Sequence, residues 1–282
     1  MRYSSRATAP FPEAGSQSVS ERSTLRKDSV SQDLESKDAR AGQVFLYSGD
    51  ELDAMEEAHR YHRWILCHFQ PFLGKKIMEV GAGTGGFARF LIESAPHAEF
   101  FLFEPAANLF PSLAQRYRGD VRVRAFHAPL DAGAASLAPD TVVMVNVLEH
   151  IEDDLGCLRE AYSVLPPGGH LLLFVPALPA LYGSLDRAFE HFRRYRRGEL
   201  LKKLEGAGFQ ISEIRYFNLV GVAAWLFSAR VLKRTSVSAR DARFYDRWVV
   251  PPLSWLERRW KPPLGQSLLA IAQKPTAPQD PF

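Results

Sequence analysis

The sequence predicts an α/β fold, a doubly wound and mostly parallel sheet of seven strands with helices on both faces. Three observations carry that expectation. Ile77, Met78, Glu79 and Val80 form a short apolar strand that runs directly into Gly81, Ala82, Gly83, Thr84, Gly85 and Gly86, and then into a helical pattern from Phe87 to Ile92. Strand-length apolar runs then alternate with helix-length stretches as far as Val175, the pattern of strands joined by crossover helices. Finally, Glu104 closes the second apolar run 21 positions after Gly83, where open α/β sheets use an acid to hold ribose hydroxyls.

The elements follow in order. Ser48 and Glu51 frame a capping box ahead of Leu52, Met55, Ala58 and Ile65 at helical spacing, and Pro71 stops that helix. Strands are expected near 77–80 and 99–103, with a helix after Gly85 and another across Leu109 to Tyr117. Val121 to Phe126 and Thr141 to Val145 read as strands. Asp153 to Leu165 reads as a helix whose acidic start suits its dipole. The breaker Pro166-Pro167-Gly168-Gly169 precedes a fifth strand, His170 to Val175. A long insertion at 176–198 leads to a helix carrying Leu200, Leu201 and Leu204 and closed by Gly206 and Gly208. Phe209 to Tyr216 and Ser267 to Ala272 are the last two strands, separated by an apolar and basic excursion over 218–263.

Composition narrows the classes. With 282 residues, 46% hydrophobic, the chain can bury one sizeable core, so one domain over 44–282 with insertions is expected. Residues 1–43 are polar and aperiodic and are expected to form a disordered tail; their acids argue against an organelle presequence, and no secretory signal is visible. Cys67 and Cys157 have no metal or redox spacing, which fits a reducing, cytoplasmic setting and core roles for both. A formal charge of +3 is too small for a nucleic-acid partner, although Arg187 to Lys203 holds seven Lys or Arg against two Glu. Leu219 to Phe227 is too short to cross a bilayer, while contact with a membrane surface stays open.

The glycine loop by itself fits either a dinucleotide or another nucleoside cofactor. The segment at the fourth-strand exit, Asn146-Val147-Leu148-Glu149-His150, decides between them: together with Glu79 and the Gly81-x-Gly83-x-Gly85 turn, it resembles class I S-adenosylmethionine-dependent methyltransferases over about residues 50–275. The dehydrogenase reading loses ground because none of the nine tyrosines is followed by lysine at the Tyr-x-x-x-Lys spacing. The resemblance implies that the seventh strand inserts antiparallel between the fifth and sixth. It also implies S-adenosylmethionine as the cofactor, with Glu79, Gly81, Ala82, Gly83, Thr84 and Gly85 around its methionine end and Glu104 on its ribose. Leu130 and Asp131 would then lie at its adenine, and Asn146, Val147 and Leu148 along its edge. Arg63 pairs with the cofactor carboxylate on this reading or is an ordinary surface arginine.

Methyl transfer mainly requires an acceptor held in line with the methyl group. No Asn-Pro-Pro-Tyr motif for planar amino groups is present, so oxygen acceptors gain weight and carbon acceptors stay open. His150 reads as a general base or as a structural histidine. Tyr182, His191, Arg193, Arg194 and Tyr195 lie beyond the fifth strand, at the ligand-binding edge of such sheets. Paired arginines there suit an anionic small-molecule acceptor, with His191 and Tyr195 as catalytic groups and Tyr182 and Asn218 as acceptor contacts. Carboxyl O-methylation is the expected reaction, ahead of a lipid or isoprenoid acceptor or a non-catalytic cofactor-binding partner; no metal is expected. The excursion reads as a lid over the acceptor or as core packing.

Overall fold

The computed structural model describes residues 45–47 and 55–276. The tail expected over 1–43 and the capping box at Ser48 lie outside them. Seven strands form one sheet: β1 Lys76–Val80, β2 Glu99–Phe103, β3 Val123–Phe126, β4 Thr141–Val145, β5 His170–Pro176, β6 Gln210–Phe217 and β7 Ser267–Gln273. Their order is β3-β2-β1-β4-β5-β7-β6. Neighbours from β3 to β5 are parallel, and β7 runs antiparallel to both β5 and β6. Every strand expected from the apolar runs is present within two residues of its expected ends.

Nine helices accompany the sheet among the described residues: α1 His59–Phe69, α2 Ala88–Ser94, α3 Phe110–Arg116, α4 Asp154–Val164, α5 Ser184–Ala188, α6 Arg197–Gly206, α7 Leu219–Trp225, α8 Ala239–Phe244 and α9 Val250–Arg259. Wider π-helical turns extend α7 through Val231 and join α8 to α9.

The core divides by strand alternation, since successive side chains point to opposite faces. On one face Met78, Phe101, Val142, Leu171, Leu173 and Ala270 pack with Leu158 and Ala161 of α4 and Leu200 and Leu204 of α6. On the other, Ile77, Phe100, Leu102, Val143, Leu172 and Ile271 meet Trp64 and Ile65 of α1, Leu91 of α2 and Leu253 of α9. Strands buried on both faces need no polar alternation, which explains their near-continuous apolar runs.

Two remote acids fasten the excursion to this body. Asp246 accepts from the backbone N–H groups of Arg60 and Tyr61 at the start of α1. Glu257 accepts from those of Asn218 and Leu219 at the start of α7. Each satisfies helix N-terminal donors that the local sequence leaves open.

Candidate active site

The glycine loop leaves β1 with left-handed backbone at Gly81 (φ 68°), Gly83 (φ 56°) and Gly85 (φ 85°). At Gly81 the need for glycine is also steric, because a methyl group there would lie 2.6 Å from Val147 Cγ2. The loop is thus pressed against the β4 exit, where Asn146 turns the chain at φ 54° and Leu148–His150 form a 3-10 turn. Behind the loop, Thr84 Oγ1 donates to Glu56 Oε1, which also pairs with Arg116, and the Tyr117 hydroxyl donates to the Gly85 carbonyl. Glu56 and Tyr117 carry no local sequence signature, because their partners lie 28 to 60 residues away.

Two carboxylates face this loop. Glu104 Oε2 accepts from the Gly83 N–H at 2.7 Å and Oε1 from Ala106 N–H at 2.7 Å. Burial raises its pKa, and these two bonds oppose the rise. Glu79 is 3% exposed, and its Oε2 has no hydrogen-bond partner among the described residues. Burial, then the charge of Glu104, pushes its carboxyl well above the usual range. A buried carboxylate oxygen without a donor is costly unless a cation meets it.

Leu130 is buried beyond β3, and Asp131 is exposed, capping the turn 132–137 through the Ala134 N–H. Arg63 lies on the exposed face of α1 with its guanidinium 5.8 Å from the Phe90 ring centroid. That contact gives Arg63 the character of an ordinary surface arginine.

The insertion after β5 folds onto the β4 exit. Phe192 N–H donates to the Glu149 carbonyl, and the Tyr195 hydroxyl reaches the Leu148 carbonyl and Asp154 Oδ2. At its centre is Asp186, fully buried, a residue without an assigned role in the sequence reading. Its Oδ1 meets His191 Nδ1 at 3.1 Å and Arg194 Nε at 2.5 Å; its Oδ2 accepts from Gly183 N–H at 2.9 Å and Trp225 Nε1–H at 3.3 Å. Burial raises the pKa of Asp186, but the His191 bond and the Arg194 charge outweigh it and leave the group lowered and ionised. An ionised carboxylate only accepts, so Nδ1 of His191 carries a hydrogen and donates it to Asp186.

Several sequence expectations change here. Arg194 does not offer a free fork: it is 3% exposed, bound to Asp186 and the Ala177 carbonyl, and stacked 4.5 Å from the Trp225 ring centroid. Arg193 spends its guanidinium on Asp154 at 2.9 Å and the Glu152 carbonyl at 2.7 Å. Tyr195 is buried with its phenol pKa pushed upward, mainly by burial, which suits a structural hydroxyl and not a proton carrier. Asn218 is a joint: its Oδ1 accepts from Gly221 N–H and the Tyr245 hydroxyl, and its Nδ2 donates to Gln266. His150 stands edge-on to His191, with ring centroids 4.7 Å apart, and burial followed by the His191 charge lowers its pKa to about 3. A ring that resists protonation so strongly is a poor base at neutral pH. For Arg193, Arg194, Tyr195 and Asn218 the sequence shows a charge or a donor and hides the partner that engages it, and for His150 it hides the burial.

The Tyr182 hydroxyl donates to the His191 carbonyl. Beside it Tyr182, Gly183, Ser184, Arg187, Ala229 and Lys233 line a cleft of about 440 Å³. Glu149, His150 and His191 each bring one ligand atom within 4.8 Å of the others.

A seven-stranded sheet with β7 reversed, a glycine loop and an acid at the end of β2 define a nucleoside-cofactor protein of the doubly wound class. The family model described as "Methyltransferase domain" matches residues 54–214, and the chain belongs to that family. A Mycolicibacterium smegmatis protein named for S-adenosylmethionine-dependent methyl transfer is 29% identical over 153 residues, covering 53% of this chain and 58% of that protein. A demethylmenaquinone methyltransferase of Deinococcus radiodurans is 27% identical over 141 residues, covering 47% and 57%. The chain therefore spans under two thirds of the length of these curated relatives. A chain assigned as a methyltransferase, solved with the Haloferax volcanii Trm112 methyltransferase activator, superposes with a TM-score of 0.54 at 15% identity, covering 80% of this chain and 95% of that one. A likeness at that identity speaks for the fold alone.

The cofactor this family implies is S-adenosylmethionine, and the residues fit it. The unpartnered Glu79 oxygen suits its ammonium group, the Gly81–Gly85 backbone permits close approach, and Glu104 keeps lone pairs for ribose hydroxyls.

Proposed function

We propose that this protein transfers a methyl group from S-adenosylmethionine to a hydroxyl-bearing acceptor, with His191 as the general base. The observation that supports this reading is the buried Asp186–His191 contact, which holds the imidazole through Nδ1 in the insertion that folds onto the β4 exit. When bound, the cofactor would supply a methyl group from a sulfonium whose sulfur keeps the electron pair of the broken S–C bond and leaves as a neutral thioether. Glu79 holds the ammonium end, Glu104 the ribose, and Leu130 and Asp131 the adenine side. Asn146, Val147 and Leu148 border the methyl-bearing end. His191 Nε2 takes the acceptor hydroxyl proton as the oxygen–methyl bond forms, while Asp186 keeps the ring oriented and stabilises the imidazolium. His150, uncharged and packed against the His191 ring, keeps water from that face.

Carboxyl O-methylation stands second. An ionised carboxylate needs no base, and the guanidinium forks that would anchor it are engaged with Asp186 and Asp154. A quinol-type or lipid hydroxyl fits the same machinery, since removing its proton activates the oxygen or the adjoining ring carbon, and one curated relative is named for a menaquinone precursor. The test is incubation with methyl-labelled cofactor and a panel of phenols, quinols, lipid hydroxyls and carboxylic acids. Labelled product from hydroxyl acceptors, reduced about 10²- to 10⁴-fold by His191→Gln with cofactor affinity retained, is expected. Label on carboxylic acids alone, indifferent to His191, refutes the proposal.

A further inference from the structure

The excursion between β6 and β7 holds a surface that the proposed chemistry does not use. Among the described residues, fifteen large apolar side chains are strongly exposed, and eleven of them lie within 219–264, including Phe227 (56%), Phe244 (63%), Trp248 (62%), Trp255 (58%) and Trp260 (45%). Scattered exposed apolar groups are ordinary, whereas this concentration in 46 residues marks an interaction surface.

The helical stretch 239–259 is two-sided. Asp246, Val250, Leu253, Ser254 and Glu257, spaced four, three, one and three residues apart, are buried, so they form the face turned to the body of the protein. The exposed side chains include the aromatic, aliphatic and basic Phe244, Arg247, Trp248, Trp255, Leu256 and Arg259, with Asp241 the one exposed acid. Arg247 and Arg259 lie over the rings of Trp248 and Trp255, at 5.5 and 4.3 Å.

The charge is as lopsided as the polarity. Residues 219–264 contain nine Lys or Arg and three acids. All three acids are engaged: Asp246 and Glu257 are buried on backbone N–H groups, and Asp241 pairs with Arg234. A surface of tryptophan and phenylalanine among cations complements one environment in particular, the interface of an anionic bilayer, where aromatic rings sit at headgroup depth and each cation adds attraction. No helix of the described residues is long and apolar enough to cross a membrane.

We infer that the 219–264 excursion docks the protein on anionic lipid bilayers through Phe227, Phe244, Trp248, Trp255 and Trp260 together with the surrounding arginines and lysines. This docking is independent of turnover and stands or falls separately from the hydroxyl chemistry. It would bring the cleft beside Tyr182, lined by Arg187 of the insertion and Lys233 of the excursion, close to the lipid phase.

The test uses the full chain and vesicles of phosphatidylcholine alone or with about 30% phosphatidylglycerol, read by co-sedimentation and by quenching of tryptophan fluorescence with brominated lipid. Binding to the anionic vesicles, weakened by salt and quenched by bromine, is the expected result. Arg247→Gln and Arg259→Gln should each weaken partitioning about fivefold at low salt, and the double variant Trp248→Ala/Trp255→Ala at least roughly tenfold. Unchanged S-adenosylmethionine binding by calorimetry shows that these surface variants are folded. Equal or absent binding to the two vesicle types overturns the inference. So does a self-association in ultracentrifugation that the tryptophan substitutions abolish while wild-type protein ignores lipid, since the surface would then belong to a second copy.

Discussion

Replacing Glu79 with Gln separates what a buried charge costs the fold from what it gives the ligand. The substitution keeps the shape and removes the charge from an oxygen that has no donor among the described residues and sits near Glu104. Its pKa is raised in the folded protein, so the folded state holds this proton more tightly than the unfolded chain does. The contribution to stability is therefore full below the ordinary value of 4.5 and is lost as pH rises above it. At pH 8 the wild type bears that cost and the Gln variant does not. A buried charge without a donor costs about 1–3 kcal/mol or more, and Gln, uncharged though still polar, removes the charged part of that cost; each kcal/mol moves Tm by about 2–4 °C in a chain of this size. The variant should thus melt higher than wild type at pH 8 and alike at pH 4. Loss of a charged hydrogen bond to the cofactor costs about 1.5–3 kcal/mol, or roughly 10- to 150-fold in Kd. Scanning calorimetry and titration calorimetry with S-adenosylmethionine read the two effects. Unchanged affinity would remove Glu79 from the cofactor site, and a lower melting point at pH 8 would show that its carboxylate has a partner after all.

Other perturbations test the remaining parts. Asp186→Asn should lower kcat and shift the pH–rate profile through His191 while changing cofactor Kd little; an unmoved profile would make Asp186 purely structural. Asp186→Ala strands Arg194 as a buried unpaired charge and should cost about 3–5 kcal/mol in urea unfolding, so a near-neutral result would refute the buried pair. Gly81→Ala combines a left-handed φ of 68° with the Val147 clash, and fluorescence titration should find cofactor binding weakened more than stability. His62, packed against Phe87 and Phe90, has its pKa lowered by burial to about 4. The unfolded chain therefore takes up this proton first, and stability present above about pH 6.5 is lost as pH falls toward 4, by up to about 1.4 kcal/mol per pH unit. His62→Phe should flatten that part of the acid unfolding curve, and an unchanged slope would assign it to other groups.

The strands were legible because burial on both faces writes them as apolar runs bounded by glycine and proline, and the glycine loop because positive φ demands its residues. The reversal of β7 had no such signature: Ser267–Gln273 reads as any buried strand, and only the family resemblance implied its direction. The acceptor side was harder. Arg193 and Arg194 looked like anion anchors, yet Asp154 and Asp186 consume them, and ion pairs closed over 8 and 39 residues leave no local pattern. Asp186 itself passed as one acid in a basic stretch, because its importance lies in four donors drawn from three chain segments.

The placement of β7 governs the order in which the sheet can be completed. It is the last strand in sequence, yet it pairs with β5 on one side and β6 on the other, with Leu173 and Ile214 both opposite Ala270. During synthesis the residues of those two strands, made some fifty to ninety residues earlier, lack this partner until 267–273 emerges. Their unpaired apolar edges are templates for wrong pairing over that interval. Late, long-range closure also places the protein among slowly folding topologies. Expression yield should accordingly respond more to chaperone supply and to substitutions in 267–273 than the small size of that strand suggests.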